Sequence, residues 1–533
     1  MKASWFLWFV FVCALTLNSG CGGGQQSREA ARRSDKSGAT AGLQFNASEP
    51  QFAADDAANR KFNTEAYDRI VENPFLSAKQ NPLSTFSIDV DTASYSNVRR
   101  FLNQRQLPPP GAVRIEELIN YFTYDYPQPE GKVPFSVNVE VAGCPWNTEH
   151  RLARIGLKGR EVQLEQRPLS NLVFLLDVSG SMRDANKLPL VKSAMKMLVN
   201  RLGENDRVAI AVYAGASGLV LASTGADNKP IILSALDHLA AGGSTNGGEG
   251  IRLAYAVAVD NFIQGGVNRV ILCTDGDFNF GTTNQSELIR LIEEKAQSGV
   301  FLSVLGFGMG NYKGSTMEKL ADKGNGNYAY IDTANEARKV LVEEMTGTLI
   351  TIAKDVKIQI DFNPAKVAGY RLIGYENRML RAEDFKDDTK DAGEIGAGHT
   401  VTAFYEIVPP AQPVPGSDVD PSKYQKPDEL TEAAATDELF TVRLRYKDPD
   451  GQTSKPLEVP VIAEEKSFDD ATDDFQFAAC VAQFGMLLRD SKHRGDANFD
   501  SVLEIAAASL GPDLAGYRPE FVELVKTARG LKR

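Results

Sequence analysis

Hydrophobic and polar positions alternate in two different rhythms along this chain. Between residues 167 and 353, short continuous apolar runs alternate with helical periodicity. The runs at 171–177, 207–213, 268–274, 300–307 and 327–331 have strand length and little polar alternation. That pattern predicts strands buried on both faces of a parallel sheet. Helical spacing predicts helices over 185–202, 230–239, 248–263, 285–298, 315–323 and 334–353, and 219–223 reads as an edge strand. Strand–helix alternation of this kind predicts an α/β domain with a doubly wound, mostly parallel sheet over 167–353.

Outside that block the rhythm has a period of two. Residues 135–141 and 152–158, and later 356–362, 371–375, 399–408, 439–446 and 457–461, read as half-buried antiparallel strands. They predict a flanking β-sandwich over 354–465. The strands within 133–166 are expected to join it, which would make the α/β block an insertion in one β-domain. The C-terminal segment, 466–533, is predicted to be helical, with helices over 475–489, 499–510 and 519–528. Residues 76–132 read as an N-terminal helical region. There a strand-like piece and an acidic turn lead into an amphipathic helix carrying Tyr95, Val98, Phe101 and Leu102, with a second helix over 113–122. Asp91 or Thr92 is read as the cap of the first helix.

The beginning of the chain follows neither rhythm. Lys2 precedes an apolar core from Trp5 to Leu17, shorter than the ~18 residues a membrane-spanning helix needs. Residues 1–21 therefore read as a secretory signal, and no later segment is apolar enough to span a membrane. The Gly-, Ser- and Ala-rich stretch 22–75 reads as a flexible tether. Leu17-Asn-Ser-Gly-Cys21 followed by glycines resembles a bacterial lipoprotein signal, with Asn18 where that pattern has Leu. The resemblance implies that Cys21 becomes a lipidated N-terminus, anchoring an exported protein to the bacterial cell envelope.

Composition narrows the function. A net charge of −12 over 533 residues argues against a nucleic-acid surface and against adsorption to anionic lipid. His150, His238, His399 and His493 are scattered, which argues against zinc sites and His-dependent catalysis. Cys144, Cys273 and Cys480 form no disulfide framework.

The candidate chemistry lies where the buried runs end. Leu172-Val-Phe-Leu-Leu-Asp177-Val-Ser179-Gly-Ser181 closes an apolar strand with one carboxylate and two hydroxyls. Ligands of open α/β sheets bind at such strand ends. Hard oxygen donors suit Mg²⁺, Mn²⁺ or Ca²⁺ better than zinc or copper. Gly242-Gly-Ser-Thr245-Asn-Gly-Gly-Glu249 is a Gly-rich turn opening a helix, which Asn246 and Glu249 are read as capping. Val270-Ile-Leu-Cys-Thr-Asp275 is a second buried strand ending in a carboxylate.

In order, spacing and strand context, Asp177, Ser179, Ser181, Thr245 and Asp275 resemble the metal-ion-dependent adhesion site of von Willebrand factor type A domains. The flanking regions resemble those that accompany this domain in bacterial exported proteins, including an uncharacterised C-terminal domain. The resemblance implies that Ser179, Ser181 and Thr245 ligate Mg²⁺ directly and that Asp177 and Asp275 hold it largely through waters. It implies that a protein ligand then supplies an Asp or Glu carboxylate as the last ligand. It gives Asp277 no coordinating role. An EF-hand beginning at Asp275 fails, because Phe280 and Ser286 stand where that loop needs Gly and Glu. Gly306-Phe-Gly308-Met-Gly310 reads as a tight connection, since its third Gly is misplaced for a dinucleotide turn.

These observations together lead to the expectation of a non-enzymatic, divalent-cation-dependent protein-binding module on the bacterial envelope, held to the membrane through its lipid. The alternatives are a structural envelope protein stiffened by its metal, and an accessory subunit of an ATPase or assembly machine.

Overall fold

The computed structural model describes residues 65, 67–163, 166–244, 246–276, 285–309, 314–416, 430–462 and 464–532. The stretches read as signal and as tether before Glu65, Cys21 among them, lie outside these residues. Two short strands come first, β1 (Leu76–Ser77) and β2 (Leu83–Ser87). The helices Ala93–Asn103 and Ile115–Asn120 follow, then β3 (Phe135–Gly143) and β4 (Arg151–Gly159). The next block contains β5 (Ser170–Asp177), β6 (Arg207–Tyr213), β7 (Ser217–Gly225), β8 (Val267–Thr274), β9 (Val300–Phe307) and β10 (Tyr328–Ile331). Helices Leu188–Arg201, Lys229–Asp237, Gly247–Asp260, Gln285–Gln297 and Gly314–Lys323 connect them. After the block come β11 (Thr351–Phe362), β12 (Gly369–Ile373), β13 (Met379–Leu380), β14 (Gly393–Gly396), β15 (Thr400–Val408), β16 (Glu438–Lys447) and β17 (Lys455–Ile462). Three helices, Asp473–Arg489, Phe499–Ala508 and Tyr517–Leu531, end the chain.

The middle block is a doubly wound sheet in the order β10-β9-β8-β5-β6-β7, parallel except for the β6–β7 edge. Each face carries its own core. Phe174, Ile210 and Ile271 pack on one side with Val191 and Leu198. Val173, Leu175 and Leu272 pack on the other with Ile251 and Leu302. Strands covered on both faces need apolar residues at successive positions, which is why these runs do not alternate.

Strands from before and after this block share sheets. One sheet runs β1-β12-β15-β4-β3, and a second runs β13-β2-β11-β16-β17 with β14 on β11. Ile155, Ile358, Leu372, Tyr405 and Val442 lie in the core shared by these two sheets. The α/β block thus leaves from β4 and returns into β11. The C-terminal helices pack with the helix Ile115–Asn120 around Phe477, Phe484 and Phe521.

Several local expectations change. The region 76–132 contributes β1 and β2 to the sandwich sheets as well as helices. The tether ends earlier than residue 75. Glu65 pairs with Arg100 at 2.7 Å, and the Asn73 amide donates to Leu372 O and Gly374 O. The helix predicted over 334–353 stops short. An α-turn at Ala334–Arg338 passes through a π-turn at Lys339–Glu343 to Met345–Leu349, and the chain is already extended at Thr351. Gly347 explains the break. Gly weakens the helix, and a Cβ on Gly347 would collide with His399.

Neither Asp91 nor Thr92 caps the first helix. Thr92 is the N-cap residue but makes no side-chain capping bond. The Asp91 carboxylate reaches β10 instead, accepting from Tyr328 N–H at 2.8 Å. It belongs to a buried cluster closed by Arg378, which meets Asp89 (3.1 Å), Asp91 (3.5 Å), Glu318 (3.0 Å) and Asp322 (2.8 Å). This cluster ties the N-terminal segment and the sandwich to the helix Gly314–Lys323 of the α/β block. Arg99 makes a second tie, to Asp332 and to Glu336 at 2.7 Å.

Burial of Arg378 and of His399 generates one prediction each. Removing one side of a buried ion cluster leaves charge uncompensated, so Arg378→Met should cost roughly 3–5 kcal/mol of stability. Urea unfolding measures this, and a loss below about 1 kcal/mol would show that the cluster does not hold these parts together. The second concerns His399, whose pKa burial pushes down from 6.5 to about 4, with Lys339, Lys158 and Arg269 adding. The unfolded chain binds this proton near pH 6.5 and the folded chain only near 4. Its stabilising contribution is therefore full above pH 6.5 and is lost as pH falls toward 4, by roughly 3 kcal/mol at most. His399→Gln should flatten the loss of melting temperature between pH 6.5 and 4. Parallel curves for the two proteins would contradict this.

Candidate metal centre

The parallel pairing of β5 with β6 and β8 brings the strand ends together. Asp177 lies opposite Tyr213 on β6, and Leu176 lies opposite Cys273 on β8. Asp177 and Asp275 therefore emerge side by side at the carboxyl edge of the sheet. Asp177, Ser179 and Asp275 are buried, and Ser181 is half-buried.

After Asp177 the chain turns sharply. Asp177 Oδ1 accepts from Ser179 N–H at 2.8 Å, which folds the backbone over its own carboxylate. The turn brings the Ser179 and Ser181 hydroxyls to 3.0 Å from each other. The Gly-rich loop is stitched onto this turn by two backbone bonds. Gly180 N–H donates to Gly243 O at 2.9 Å, and Gly242 N–H donates to Val178 O at 2.7 Å. Gly243 has φ 84°, a left-handed conformation that glycine adopts without strain. Thr245 and Asp277 lie outside the described residues. Asn246 begins the next helix but makes no side-chain capping bond, so the reading of Asn246 and Glu249 as a cap is corrected.

Burial raises the Asp177 carboxyl to about 6, Asp275 adds to the rise, and hydrogen bonds from Ser179 oppose it. Asp177 Oδ2 is buried without a hydrogen-bond partner at ordinary geometry. The donors present are hydroxyl and carboxylate oxygens, a set that fits a hard divalent cation. The buried carboxylate, held by Ser179 and neighboured by the Tyr213 hydroxyl, stands beside two hydroxyls and offers acceptor capacity that such a cation, or water bound to it, would use.

One residue at the site escaped sequence reasoning. The Lys187 ammonium donates to Asp275 Oδ2 at 2.7 Å, and both side chains are buried. The only hint in the sequence is position. A lysine opening a helix opposes the helix dipole, so something else must hold its charge. Lys187 also accounts for part of the Gly306-Phe-Gly308 pattern. Gly308 has φ 78°, and a Cβ there would sit 2.5 Å from Lys187 Cγ. The glycine makes room for the lysine stem, consistent with a tight connection and not a nucleotide turn.

Comparison with known proteins gives the same picture. Residues 171–344 match the profile of the von Willebrand factor type A domain, 61–154 that described as von Willebrand factor, and 347–531 that described as "Uncharacterized protein YfbK, C-terminal". The last begins within the α/β block's final helical turn and includes the later sandwich strands as well as the terminal helices. "Uncharacterized protein YfbK" of Escherichia coli K12 is 44% identical over 475 residues, covering 88% of this chain and 82% of that protein. "Uncharacterized protein sll0103" of Synechocystis is 30% identical over 196 residues, covering 37% of this chain and 45% of that protein. The solved structure of von Willebrand factor type A from Catenulispora acidiphila covers 76% of this chain and 91% of its own, at 14% identity and a TM-score of 0.42. Von Willebrand factor type A domains are in general protein-interaction or adhesion modules, and they often bind a divalent metal at this strand end. With close to half its residues identical over most of both lengths, the chain belongs to the family of the E. coli protein YfbK, bacterial proteins built around a von Willebrand factor type A domain.

Proposed function

We propose that the strand-end set binds Mg²⁺ and that the domain thereby captures a protein ligand through an Asp or Glu carboxylate. The reading extends to a non-enzymatic role on the bacterial envelope, with the chain anchored by lipid on Cys21. The observation that carries it is the pair of hydroxyls, Ser179 and Ser181, 3.0 Å apart beside two buried carboxylates. Ser179, Ser181 and Thr245 would hold the cation, and Mn²⁺ or Ca²⁺ would suit the same donors. Neutral hydroxyls leave most of the ion's charge unmatched, and Asp177 and Asp275 offset it from behind. Bound there, Mg²⁺ would supply a Lewis-acidic position that an outside carboxylate can fill. Lys187 competes for Asp275, so it sets how tightly this carboxylate can serve a cation.

The Lys187–Asp275 pair also favours a second reading. An ammonium already balances one carboxylate, so the strand end can support its own fold. The protein would then be a structural envelope component in which metal only stiffens the domain.

Capture separates the two. Ser179→Ala, Thr245→Ala and Asp275→Asn should each lower Mg²⁺-dependent capture of an acidic partner from envelope extract by about tenfold or more. The Ser179→Ala and Thr245→Ala domains should stay folded by circular dichroism, because each loses only one hydroxyl, whereas Asp275→Asn also leaves the buried Lys187 ammonium without its carboxylate and is read only if it folds. EDTA should abolish capture and Mg²⁺ or Mn²⁺ restore it. Capture by the Ser179 and Thr245 variants that equals wild type in Mg²⁺, or wild-type capture undiminished by EDTA, would leave only the structural reading. Anchoring is tested separately. Cys21→Ala should move the protein from the detergent-dependent membrane fraction to the soluble fraction, and a variant that stays membrane-bound would refute the lipid anchor.

A further inference from the structure

Among the described residues, three carboxylates converge far from the strand-end set, where β11 meets β14. Asp355, Asp391 and Glu394 each bring a carboxylate oxygen within 4.8 Å of the other two. Asp355 lies in a bulge of β11, between Ala353, which faces Ile395, and Val356, which faces Gly393. Its φ is 52°, and the bulge re-aims its side chain out of the ladder. There its Oδ1 accepts from Ala392 N–H at 3.1 Å. Asp391 stands exposed at the mouth of a cleft of about 500 Å³ that Asp355, Asp388, Lys323 and Lys447 also line.

Glu394 is the independent sign of a ligand. It is only 9% exposed, its carboxylate faces the two aspartates, and its Oε1 has no hydrogen-bond partner. Burial first, and then Asp391 and Asp355, push its carboxyl well above the usual range. The ammonium groups nearby serve the two aspartates and leave Glu394 Oε1 without a donor. Lys447 donates to Asp355 Oδ2 at 2.6 Å, and Lys323 donates to Asp391 Oδ2 at 2.8 Å. A buried carboxylate oxygen without a donor is costly, and a cation reaching all three carboxylates would remove that cost. The other three-carboxylate group, Asp89, Asp91 and Glu318, has no such need, because Arg378 already fills it.

We infer that Asp355, Asp391 and Glu394 form a second divalent-cation site, and that it takes Ca²⁺. Three carboxylates, one buried and one exposed on a loop, match the oxygen-rich and geometrically tolerant coordination of Ca²⁺. Mg²⁺ prefers one or two carboxylates and keeps its waters. Asp391 can reach the ion because its lysine partner is itself partly exposed and can turn to solvent.

Calorimetric titration of Ca²⁺ into the full chain carrying Ser179→Ala and Ser181→Ala tests this site alone. One equivalent should bind, and Mg²⁺ should bind about tenfold more weakly or worse. Adding Asp391→Asn should weaken Ca²⁺ binding by about tenfold or more. Asp391 is exposed, so this variant will fold. Adding Glu394→Gln should do the same and remove any rise in melting temperature with Ca²⁺. No Ca²⁺ binding in the Ser179→Ala, Ser181→Ala background would overturn the inference, as would Ca²⁺ binding undiminished by Asp391→Asn. Glu394→Gln raising the melting temperature without any Ca²⁺ response would show that Glu394 instead carries a proton. None of these results bears on the strand-end set, which the background variant disables.

Discussion

The parallel register between β5 and β8 is the constraint on which the candidate site depends. Pairing Leu176 with Cys273 delivers two acidic residues to neighbouring strand ends, and a shift of one residue would turn Asp177 to the other face of the sheet. The register is held by apolar residues buried on both faces, including Val173, Phe174, Leu175 and Leu176. Two carboxylates that close to each other and to an apolar core repel, and the surrounding groups answer that repulsion in different ways. Backbone N–H and hydroxyls serve Asp177, while an ammonium serves Asp275. Sheet packing thus forces a charge problem onto the edge, and the chemistry of the site is its solution.

The rest of the molecule fixes where that edge is presented. The α/β block leaves from β4 and re-enters through β11, so both of its ends are tied to the sandwich. Arg378 and Arg99 add buried ionic ties from the block to the N-terminal segment, and Arg378 to the sandwich as well. Such clusters are specific more than they are strong, since each buried charge loses much of its hydration. They favour one placement of the block on its frame. The Asp355, Asp391 and Glu394 group lies at this same frame, where β14 pairs with the strand that receives the returning chain.

What could be read from the sequence divides along the line between local and distant information. The buried runs ending in Asp177 and Asp275 announced a doubly wound sheet, because a strand covered on both faces leaves a mark in its own residues. Asp177, Ser179 and Ser181 were legible for the same reason, being close in sequence and at a strand end. Lys187 was not, because its partner lies on another strand and nothing near it names that partner. Asp91 looked like a helix cap, yet it bonds to Tyr328 and Arg378, both far along the chain. The 334–353 helix was overextended because its helical spacing continues past Gly347, whose packing against His399 is a tertiary contact. Glu394 had no sequence signal at all. Its character comes from a bulge in the neighbouring strand.

Titration calorimetry of Mg²⁺ into the full chain and into its Ser179→Ala and Lys187→Gln variants tests the strand-end site most directly. If these residues hold the cation, wild type should bind Mg²⁺ in a way that Ser179→Ala loses. Lys187→Gln should bind it more tightly, because the ammonium no longer competes for Asp275. The same binding in all three proteins, or none in any of them, would contradict a metal centre built from Asp177, Ser179, Ser181, Thr245 and Asp275.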